Sequence, residues 1–409
     1  MASTTDELAP PVHQWIREHA HPLATTDPTT ALDDLEPLRT MVGDAEIVGL
    51  AEATRAGHEV ASLGHRVFRF LATEMGFRTL AIQDDAAVVH QLDHYVSTGQ
   101  GDPHQLVAAL WRPRRTREML DLVHWTRSFN QRFPADPMRM VGLDPASARP
   151  SDYDDVAALV TRTAPRVGTR LRQRYDVIVT AHELAEHVQQ ARGVHPGRPF
   201  AELAREAHEM VDSLPHSDTK SRALEQAQRI VDFHAGGFAA DFDYAALRHQ
   251  SVATMNRLRR ETGTRIVYWE GIALTANAAR FEPLAVLEEP FRTVGSQLRT
   301  ELGTGYFPVL LGFGHGTLGD VHQGQRVPAP ERGSFDAALA AAGLGRYLLD
   351  LRTAPAGPVG DWLHSRRGLR VISGVYDAAA DPDHYTIGAL GEWFDAVVHV
   401  DTITPTTLL

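Results

Sequence analysis

The stretch from residue 47 to residue 85 restricts the fold more than any other part of the chain. It reads as an apolar strand, IVGLAE, then a segment with helical spacing, HRVFRFLATEMGF, and then a second apolar strand, RTLAIQDD. Gly76 stands where a helix C-cap favours glycine. A strand, a helix and a strand in succession predict a right-handed crossover between parallel strands. We therefore expect an α/β fold with a mostly parallel central sheet flanked by helices.

The pattern along the rest of the chain predicts one inserted helical region. Between residues 151 and 260 the sequence changes to polar, alanine-rich segments such as AELAREAHEMVDSL. We interpret residues 1–10 as a flexible tail, residues 11–150 and 261–409 as the α/β core domain, and residues 151–260 as an inserted helical lobe over the cleft at the strand ends. The remaining predicted strands are MRMVGLDP, TRIVYWEG, YFPVLLGFGHG, GLRVISGVYD and FDAVVHVD.

Composition and charge exclude several classes of protein. The chain has 409 residues, a net charge of −12 and no basic run that suits nucleic acid phosphates. It has no cysteine, which excludes disulfides, thiolate nucleophiles and cysteine-ligated metals. A secretory signal pattern and a bilayer-spanning apolar stretch are also absent from the sequence. We expect a cytoplasmic monomer or homodimer whose partner is a small-molecule substrate, with no nucleic acid and no membrane.

Titratable side chains cluster where the strands of the predicted crossover end. Glu52 closes the first strand, and Arg55, His58 and Glu59 follow it closely. Asp84 stands at the end of the second strand. The carboxyl ends of parallel strands form the edge at which open α/β sheets bind ligands. The pattern therefore predicts an active site at this edge.

Three other residues are candidates for substrate contacts, each with a structural alternative. Asp144, in VGLDP, orients a ligand or caps the following turn. Arg117, in WRPRRTRE, is the best-placed member of an anion or carbonyl clamp, although the segment also suits a solvated helix start. His315, in GFGHG, is a pocket residue or part of a tight turn, because the glycines fit neither the P-loop nor the dinucleotide pattern.

The histidine patterns do not predict a metal site. His182 and His187, in HELAEH, are spaced i, i+5, which puts them on different sides of a helix. His90 and His94 have the i, i+4 spacing that can chelate a metal, but two histidines alone do not complete a site. A helix flank near the pocket explains this second pair. We therefore expect neither a metal nor an organic cofactor.

Six stretches follow one another in a recognisable order. They are LAEATRAGHE, EMGFRTLAIQDD, VGLDP and RIVYWEGIAL, with looser matches at YFPVLLGFGHGT and FDAVVHV. This order resembles the erythromycin esterase family over most of the chain, from residue 40 to residue 400. The resemblance implies an α/β core with a helical lobe over an open cleft. It also implies hydrolysis of a macrolactone ester by a histidine-activated water, without a covalent serine.

The first matching motif departs from the family pattern at its histidine. Glu52 and Glu59 match the two glutamates of that motif, but Arg55 stands where the family has the histidine that serves as general base. Gln83 replaces an acidic residue at the end of the next strand. Arginine cannot act as a base near neutral pH. Loss of the base is therefore expected to lower the rate by the inherited mechanism about 10²- to 10⁴-fold.

The second departure places a new carboxylate at another strand end. The segment WEGIAL stands where the family has Trp-Ala-His-Asn-Ala-His, so Glu270 follows Trp269 and two more histidines are absent. Tyr268 precedes this pair, and the helix RHQSVATMN keeps Arg248 of the family pattern. If Arg55 holds one glutamate ionised while burial raises the pKa of another, carboxylates can divide the acid and base roles between them.

These residues favour one function and leave two alternatives. The favoured one is a divergent enzyme of secondary metabolism that acts on a small polyketide, lactone or ester by carboxylate and arginine acid–base chemistry. Its reaction is hydrolysis or a non-hydrolytic elimination, isomerisation or cyclisation. The alternatives are an inactive ligand-binding or self-resistance protein, and an ester hydrolase in which His58 or His65 replaces the lost base. The predicted catalytic residues are Glu52, Glu270, Glu59, Arg55 and His58, and the predicted substrate-binding residues are Asp84, Arg117, Asp144, Arg248, Tyr268, Trp269 and His315.

Overall fold

The chain divides into two compact units, one formed by Met1–Asp144 and Ala245–Leu409 and the other by Pro145–Tyr244. The predicted lobe runs to residue 260, so its carboxyl-terminal limit differs from this boundary. Its position over the strand-end cleft stays a prediction. The HELAEH segment lies outside the described residues. The computed structural model describes residues 10–144, 150–178, 198–236, 244–282, 290–372 and 376–409.

The first unit contains a large, mostly parallel sheet. The described strands are β1 (His21–Pro22), β2 (Ile47–Glu52), β3 (Phe77–Asp85), β4 (Arg139–Asp144), β5 (Arg265–Gly271), β6 (Tyr306–Thr317), β7 (Arg326–Val327), β8 (Arg346–Asp350), β9 (Arg367–Arg370), β10 (Tyr385–Gly388) and β11 (Ala396–Ile403). The nine-stranded sheet has the order β1-β8-β11-β6-β2-β5-β3-β4, with β7 paired to β6. Its central strands, from β11 to β4 in this order, pair parallel. The predicted α/β fold class is confirmed.

Helices accompany the sheet in the first unit and make up the described part of the second. They are α1 (Pro10–His19), α2 (Pro37–Val42), α3 (His58–Met75), α4 (Ala86–Thr98), α5 (Pro103–Ala108), α6 (Arg117–Arg132), α7 (Pro150–Thr163), α8 (Pro165–Ile178), α9 (Phe200–Asp212), α10 (Asp218–Gly236), α11 (Tyr244–Thr262), α12 (Ile272–Thr275), α13 (Val294–Leu302), α14 (Phe335–Ala341), α15 (Pro358–His364) and α16 (Leu390–Trp393). Helices α3, α4, α13 and α14 contact strands of the sheet, and α7 to α10 bury a separate apolar core. Among the described residues, no helix has the length and apolarity needed to cross a membrane.

The structure differs from the sequence prediction in the pairing of one predicted strand and in the short strands β1, β7, β8 and β10, which the sequence analysis does not identify. The predicted strand GLRVISGVYD contributes β9, which pairs with β10 in a separate two-stranded sheet. Arg370, at the end of β9, is fully buried and donates to the carbonyl oxygens of Gly314 (2.8 Å) and Pro328 (3.2 Å). These bonds tie the small sheet to β6. The short strand β8, RYLLD, is not identified from the sequence because three apolar residues between charged ones give a weak periodic signal.

Helix α3 follows β2 and packs closely against β5. Gly76 ends the helix in a left-handed conformation with φ of 72°, as the sequence predicts. Gly64, in the middle of the helix, faces the ring of Trp269, and a Cβ atom at position 64 would lie 2.3 Å from Cζ2 of that ring. The missing side chain therefore permits the contact between this helix and the strand that carries Glu270.

We expect Gly64→Ala to lower the free energy of unfolding by about 1–3 kcal/mol, the usual effect of overpacking a filled core. In an open helix the same change would stabilise the protein by about 1 kcal/mol, because alanine has the higher helix propensity. Urea unfolding followed by circular dichroism gives the sign. Gly312→Ala is a matched control, since its added Cβ would approach no atom closer than 3.6 Å. Equal effects in the two variants would contradict the predicted clash.

Candidate active site

Four carboxylates stand in a row at the carboxyl ends of four adjacent parallel strands. Glu52 ends β2, Glu270 lies near the end of β5, Asp84 lies near the end of β3, and Asp144 ends β4. Glu52, Asp84 and Glu270 are buried, with 6%, 4% and 2% of their surface exposed. Adjacent strands lie about 4.8 Å apart, so these negative charges require nearby cations or protons. The predicted strand-end residues therefore come together at one edge of the sheet.

Glu270 is the anchor of this cluster. Its Oε1 accepts from Nη2 of Arg114 and from the backbone N–H of Gln83 (3.3 Å). Its Oε2 accepts from Nη2 of Arg55 and from the backbone N–H of Gly271 (3.1 Å). Burial by itself raises the pKa of Glu270, but the two guanidinium groups outweigh burial and hold that pKa below its usual value. Glu270 is thus an ionised acceptor at neutral pH, and the predicted role of a proton-abstracting base does not suit it.

Arg114 is a residue of this cluster that the sequence analysis misses. Its buried guanidinium also donates to the backbone oxygen of Trp269 (3.1 Å) and places Nε 4.0 Å from Asp84 Oδ2. Arg117, the predicted clamp residue, is exposed at the first position of α6. The missed signal is Thr116, whose side chain accepts from the N–H of Met119 and caps α6. Arg114 therefore belongs to the loop at the strand ends, whereas Arg117 belongs to the helix.

Arg55 provides the second fixed cation. Its Nε lies 3.5 Å from Glu52 Oε2, and its guanidinium stands over the ring of Trp111 at 5.0 Å. Gly271 leaves room for it, because a Cβ there would lie 3.2 Å from Nη2 of Arg55. The Arg55 side chain is 12% exposed, more than the carboxylates that it pairs with. A guanidinium stays protonated at any working pH, so Arg55 can bind or stabilise negative charge but cannot accept a proton.

Asp84 is held by backbone donors. It accepts from the N–H groups of Trp111 (3.1 Å) and Asp85 (2.9 Å). Burial raises its pKa to about 6, although Arg114 and these hydrogen bonds act in the opposite direction. The neighbouring Asp85 caps α4 by accepting from the N–H groups of Ala87 and Val88. Asp84 therefore orders the loop that carries Trp111 and Arg114 as well as adding charge to the cluster.

Glu52 and Asp144 share two properties. Burial raises the pKa of each carboxyl group, and each has one oxygen that accepts no hydrogen bond from the described residues. Among the described residues, Oε2 of Glu52 and Oδ1 of Asp144 have no hydrogen-bond partner. Burial raises the pKa of Glu52. Burial, followed by the charges of Glu270 and Asp84, raises the pKa of Asp144 to about 7. Asp144 can therefore gain or lose a proton near neutral pH, as a general acid or base requires.

Gln83 positions Asp144 through a hydrogen-bonded chain. The buried hydroxyl of Tyr268 donates to Oε1 of Gln83 (3.0 Å), and the Gln83 side chain hydrogen-bonds to Asp144. Burial raises the pKa of Tyr268 well above its ordinary value, so this hydroxyl stays protonated. Tyr268 therefore acts as a hydrogen-bond donor that orients the Gln83 side chain. An amide at position 83 adds no charge, whereas a carboxylate there would raise the pKa of Asp144 further.

The folded-state pKa of Asp144 gives a prediction for stability. Its pKa rises from 3.8 to about 7 on folding, so its contribution is fully present below pH 3.8 and is lost as the pH rises through 7. Relative to Asp144→Asn, the wild type should therefore lose up to about 1.4 kcal/mol of unfolding free energy per pH unit over this interval. Urea unfolding of both proteins between pH 4 and pH 8 measures the difference. A constant difference over this range would contradict the raised pKa.

Several predicted site residues make their described contacts away from the row of carboxylates. Glu59 accepts from the N–H (2.6 Å) and the hydroxyl (2.7 Å) of Thr404, so it fastens the segment after β11. His315 is exposed in the carboxyl-terminal part of β6, where its Nε2 lies 3.5 Å from Thr402 Oγ1 of β11. The guanidinium of Arg248 stands over the ring of Phe291 at 4.7 Å. Trp269, by contrast, has contacts in both places: its ring faces Gly64 of α3 in the apolar core, and its backbone oxygen accepts from Arg114 of the cluster.

The histidines proposed as substitute bases have different surroundings. His65 is buried beside Trp125, with ring centroids 5.9 Å apart, and burial lowers its pKa to about 3. It therefore cannot collect a proton near neutral pH. His58 is half-buried at the start of α3 and pairs through Nδ1 with Oε1 of Glu118 (2.7 Å). His90 and His94 are exposed on α4. Within the described ranges, no group of three acidic or histidine side chains has an arrangement that fits a metal ion.

Comparisons with known proteins extend the resemblance seen in the sequence motifs. Erythromycin esterase type II of Escherichia coli is 25% identical over 131 residues, which are 32% of this chain and 31% of that protein. The chain therefore matches about a third of the length of this relative. A solved structure of a Bacillus cereus protein has 22% identity and a TM-score of 0.68, and the match covers 98% of both chains.

Two further solved structures share the fold. A succinoglycan biosynthesis protein has 21% identity and a TM-score of 0.68 over all of both chains. A histidine-to-asparagine variant of erythromycin esterase EreC, in its open conformation, has 15% identity and a TM-score of 0.54 over 94% of this chain and 97% of that one. At these identities the structures show the fold alone. The model of the erythromycin esterase family matches residues 72–403, which is most of the sequence, and this chain belongs to that family.

Proposed function

We propose that this chain is an enzyme that acts on a small natural product containing an ester or lactone, using carboxyl groups for acid–base chemistry. The observation that carries the proposal is that carboxyl groups of one cluster have pKa values shifted in opposite directions. Glu270 is held ionised by two arginines, whereas the pKa of Glu52 is raised and that of Asp144 is about 7. Environments that push the pKa values of neighbouring groups apart assign acid and base roles.

Each member of the cluster then has a task. Glu270 and Arg114 form the fixed, buried part, and Arg55 is the partly exposed cation. Arg55 can stabilise negative charge that develops on a carbonyl oxygen, because a preorganised donor is most effective where charge appears in the transition state. Asp144, or Glu52, transfers the proton. The same groups suit hydrolysis, in which the base activates water, and elimination, isomerisation or cyclisation, in which the base removes a substrate proton.

The alternative is a binding or self-resistance protein without turnover. The observation that favours it is that both Arg55 and Arg114 are already paired with Glu270. A buried ionic network of this kind can persist as a structural feature. In that case the strand-end edge would hold a natural product without changing it.

A mass-spectrometric screen separates these functions. The purified protein is incubated in H₂¹⁸O with macrolides and with a panel of esters, lactones and polyketide-like compounds, and a Glu52→Gln, Asp144→Asn double variant is the control. A product that carries ¹⁸O supports the hydrolytic form, and a product without ¹⁸O supports the non-hydrolytic form. Equal conversion by the double variant would contradict a role for the carboxyls. Tight binding with an unchanged mass would favour the binding protein.

A further inference from the structure

A segment of backbone connects the two loops that carry the arginines of the cluster. Arg55 lies in the loop between β2 and α3, and Arg114 lies in the loop that precedes α6. Residues 404–409, which follow β11 and which we call the strap, pair first with one loop and then with the other. Arg55 and Arg114 meet at the two oxygens of Glu270. The strap therefore joins the backbone segments from which both cations of the cluster extend.

The strap pairs with the loops as a short antiparallel strand would. Among the described residues, four backbone hydrogen bonds join it to the loops: His58 N–H to Thr404 O (2.8 Å), Thr406 N–H to Ala56 O (3.2 Å), Arg117 N–H to Thr407 O (2.8 Å) and Leu409 N–H to Arg115 O (3.0 Å). Pro405 stands opposite Gly57, between the first two of these bonds, where the ladder needs no N–H group. The ladder thus extends over two loops that are distant in the sequence.

Two glutamates at the starts of helices add side-chain bonds to the strap. Glu59, in the first turn of α3, accepts from the N–H (2.6 Å) and the hydroxyl (2.7 Å) of Thr404. Glu118, in the first turn of α6, is 8% exposed, and its Oε2 accepts from the N–H of Thr407 (3.4 Å). Its Oε1 pairs with Nδ1 of His58 (2.7 Å). Each half of the strap is therefore held by a carboxylate as well as by backbone bonds.

The middle of the strap is packed into the molecule. Thr406 is 3% exposed. Gly319 leaves room for it, because a Cβ atom at position 319 would lie 2.7 Å from the Thr406 backbone oxygen. The oxygen of Ala56 accepts from the N–H groups of both Gly319 (2.8 Å) and Thr406. The strap therefore cannot shift without also displacing the loop that carries Arg55.

We propose that the strap is a positioning element of the active site, and that Glu59 and Glu118 are positioning residues that act through it on Arg55. The inference rests on the proposed function for the task of Arg55, the stabilisation of negative charge on a carbonyl oxygen. Arg114 has a further buried contact, with the backbone oxygen of Trp269. The Arg55 side chain is 12% exposed, against 3% for Arg114, so its position depends more on its loop. A displacement of about 1 Å at such a group can lower a rate about 10²-fold.

The role of Glu59 as an acceptor differs from the role of an acid or base in a way that substitutions reveal. A glutamine side-chain oxygen has two lone pairs and can accept both bonds from Thr404, whereas alanine can accept neither. Glu59→Gln should therefore keep the strap in place, and Glu59→Ala should release its first half. A catalytic carboxylate at position 59 would instead lose its activity in both variants.

Hydrogen–deuterium exchange of the full chain, followed by mass spectrometry, tests the connection between the loops. We expect Glu59→Ala to speed exchange about tenfold in peptides from both loops, the usual effect of losing hydrogen bonds to a charged group. The loop before α6 is decisive, because the hydrogen bonds of Glu59 go to Thr404 and not to that loop. Glu59→Gln should exchange like the wild type. Glu74→Ala is the matched control, since Glu74 is an exposed residue in the last turn of the same helix.

Hydrolysis of 4-nitrophenyl acetate tests the effect on catalysis. We expect Glu59→Ala to lower kcat about 10- to 10²-fold, with little change in KM, because Arg55 acts on charge that develops in the transition state. Glu59→Gln should recover most of the wild-type kcat, and Glu74→Ala should match the wild type. The melting temperature checks folding. If Glu59→Ala does not fold, Thr404→Val removes one of its two bonds and should give a smaller change in the same direction.

Specific outcomes overturn this proposal. It fails if faster exchange in Glu59→Ala is confined to the loop after β2, or if exchange rises in both loops while kcat is unchanged. Equal losses of kcat in Glu59→Ala and Glu59→Gln would also contradict it, because a shared loss indicates a catalytic carboxylate. A wild type that does not hydrolyse the ester faster than buffer would count against the hydrolytic form of the proposed function. The exchange data alone would then accept or reject the strap.

Discussion

Replacement of Arg114 by methionine is expected to lower the free energy of unfolding by about 3–5 kcal/mol, the usual effect of breaking a buried ion pair. Arg114 is 3% exposed, and its guanidinium contacts Glu270 and the backbone oxygen of Trp269. Methionine can fill much of the space but donates no hydrogen bond. Glu270 would keep Arg55, while Asp84 would lose its nearby cation. Urea unfolding monitored by tryptophan fluorescence measures the loss.

Arg117→Met is the matched control for this experiment. It makes the same chemical change three residues further along, at an exposed position, where surface substitutions usually alter stability by less than about 0.5 kcal/mol. The loss in Arg114→Met should shrink in acid, because a protonated Glu270 no longer needs two cations. Equal unfolding midpoints for the two variants would show that Arg114 does not hold the buried carboxylates.

The sheet was predictable where each strand is a buried apolar run. IVGLAE and RIVYWEG become β2 and β5, which lie side by side with both strands almost wholly buried. A strand covered on both faces needs apolar residues throughout, and this leaves a clear signal in the sequence. The pattern does not say which sheet a strand joins, so β9 was expected in the main sheet. The order β2-β5-β3-β4 follows from packing between distant segments, which no local pattern encodes.

The candidate site was predictable for the residues whose position depends only on the direction of their strand. Glu52, Asp84, Asp144 and Glu270 follow from the rule that parallel strands end at one edge. The loop residues could not be predicted in this way. The residue at which α6 begins determines which arginine of the preceding loop is buried. Thr116 caps α6 and thereby selects Arg114 over Arg117. Glu118 was missed for a related reason, since its partner His58 comes from a segment sixty residues earlier.

Asp144→Asn is expected to lower the turnover of the natural-product substrate about 10²- to 10⁴-fold, the contribution of a general acid or base. Its pKa of about 7, and an Oδ1 atom that accepts no hydrogen bond from the described residues, make Asp144 the carboxyl best suited to exchange a proton. Asparagine has nearly the same shape and can keep the contact with Gln83, so the fold should tolerate the change. Initial rates with the compound that the screen identifies give the effect.

The pH profile decides which direction the proton moves. If Asp144 is the base, wild-type turnover rises with pH through about 7, where its carboxyl loses the proton. If it is the acid, turnover falls over the same interval. In either case the residual activity of Asp144→Asn should lack this step. Asp84→Asn is the informative comparison, because Asp84 accepts two backbone N–H bonds and its pKa is about 6. The pH step in turnover could instead survive in Asp144→Asn and disappear in Asp84→Asn. That result would transfer the acid–base role to Asp84. Arg114, whose Nε lies 4.0 Å from Asp84 Oδ2, would then control the pKa of the catalytic group.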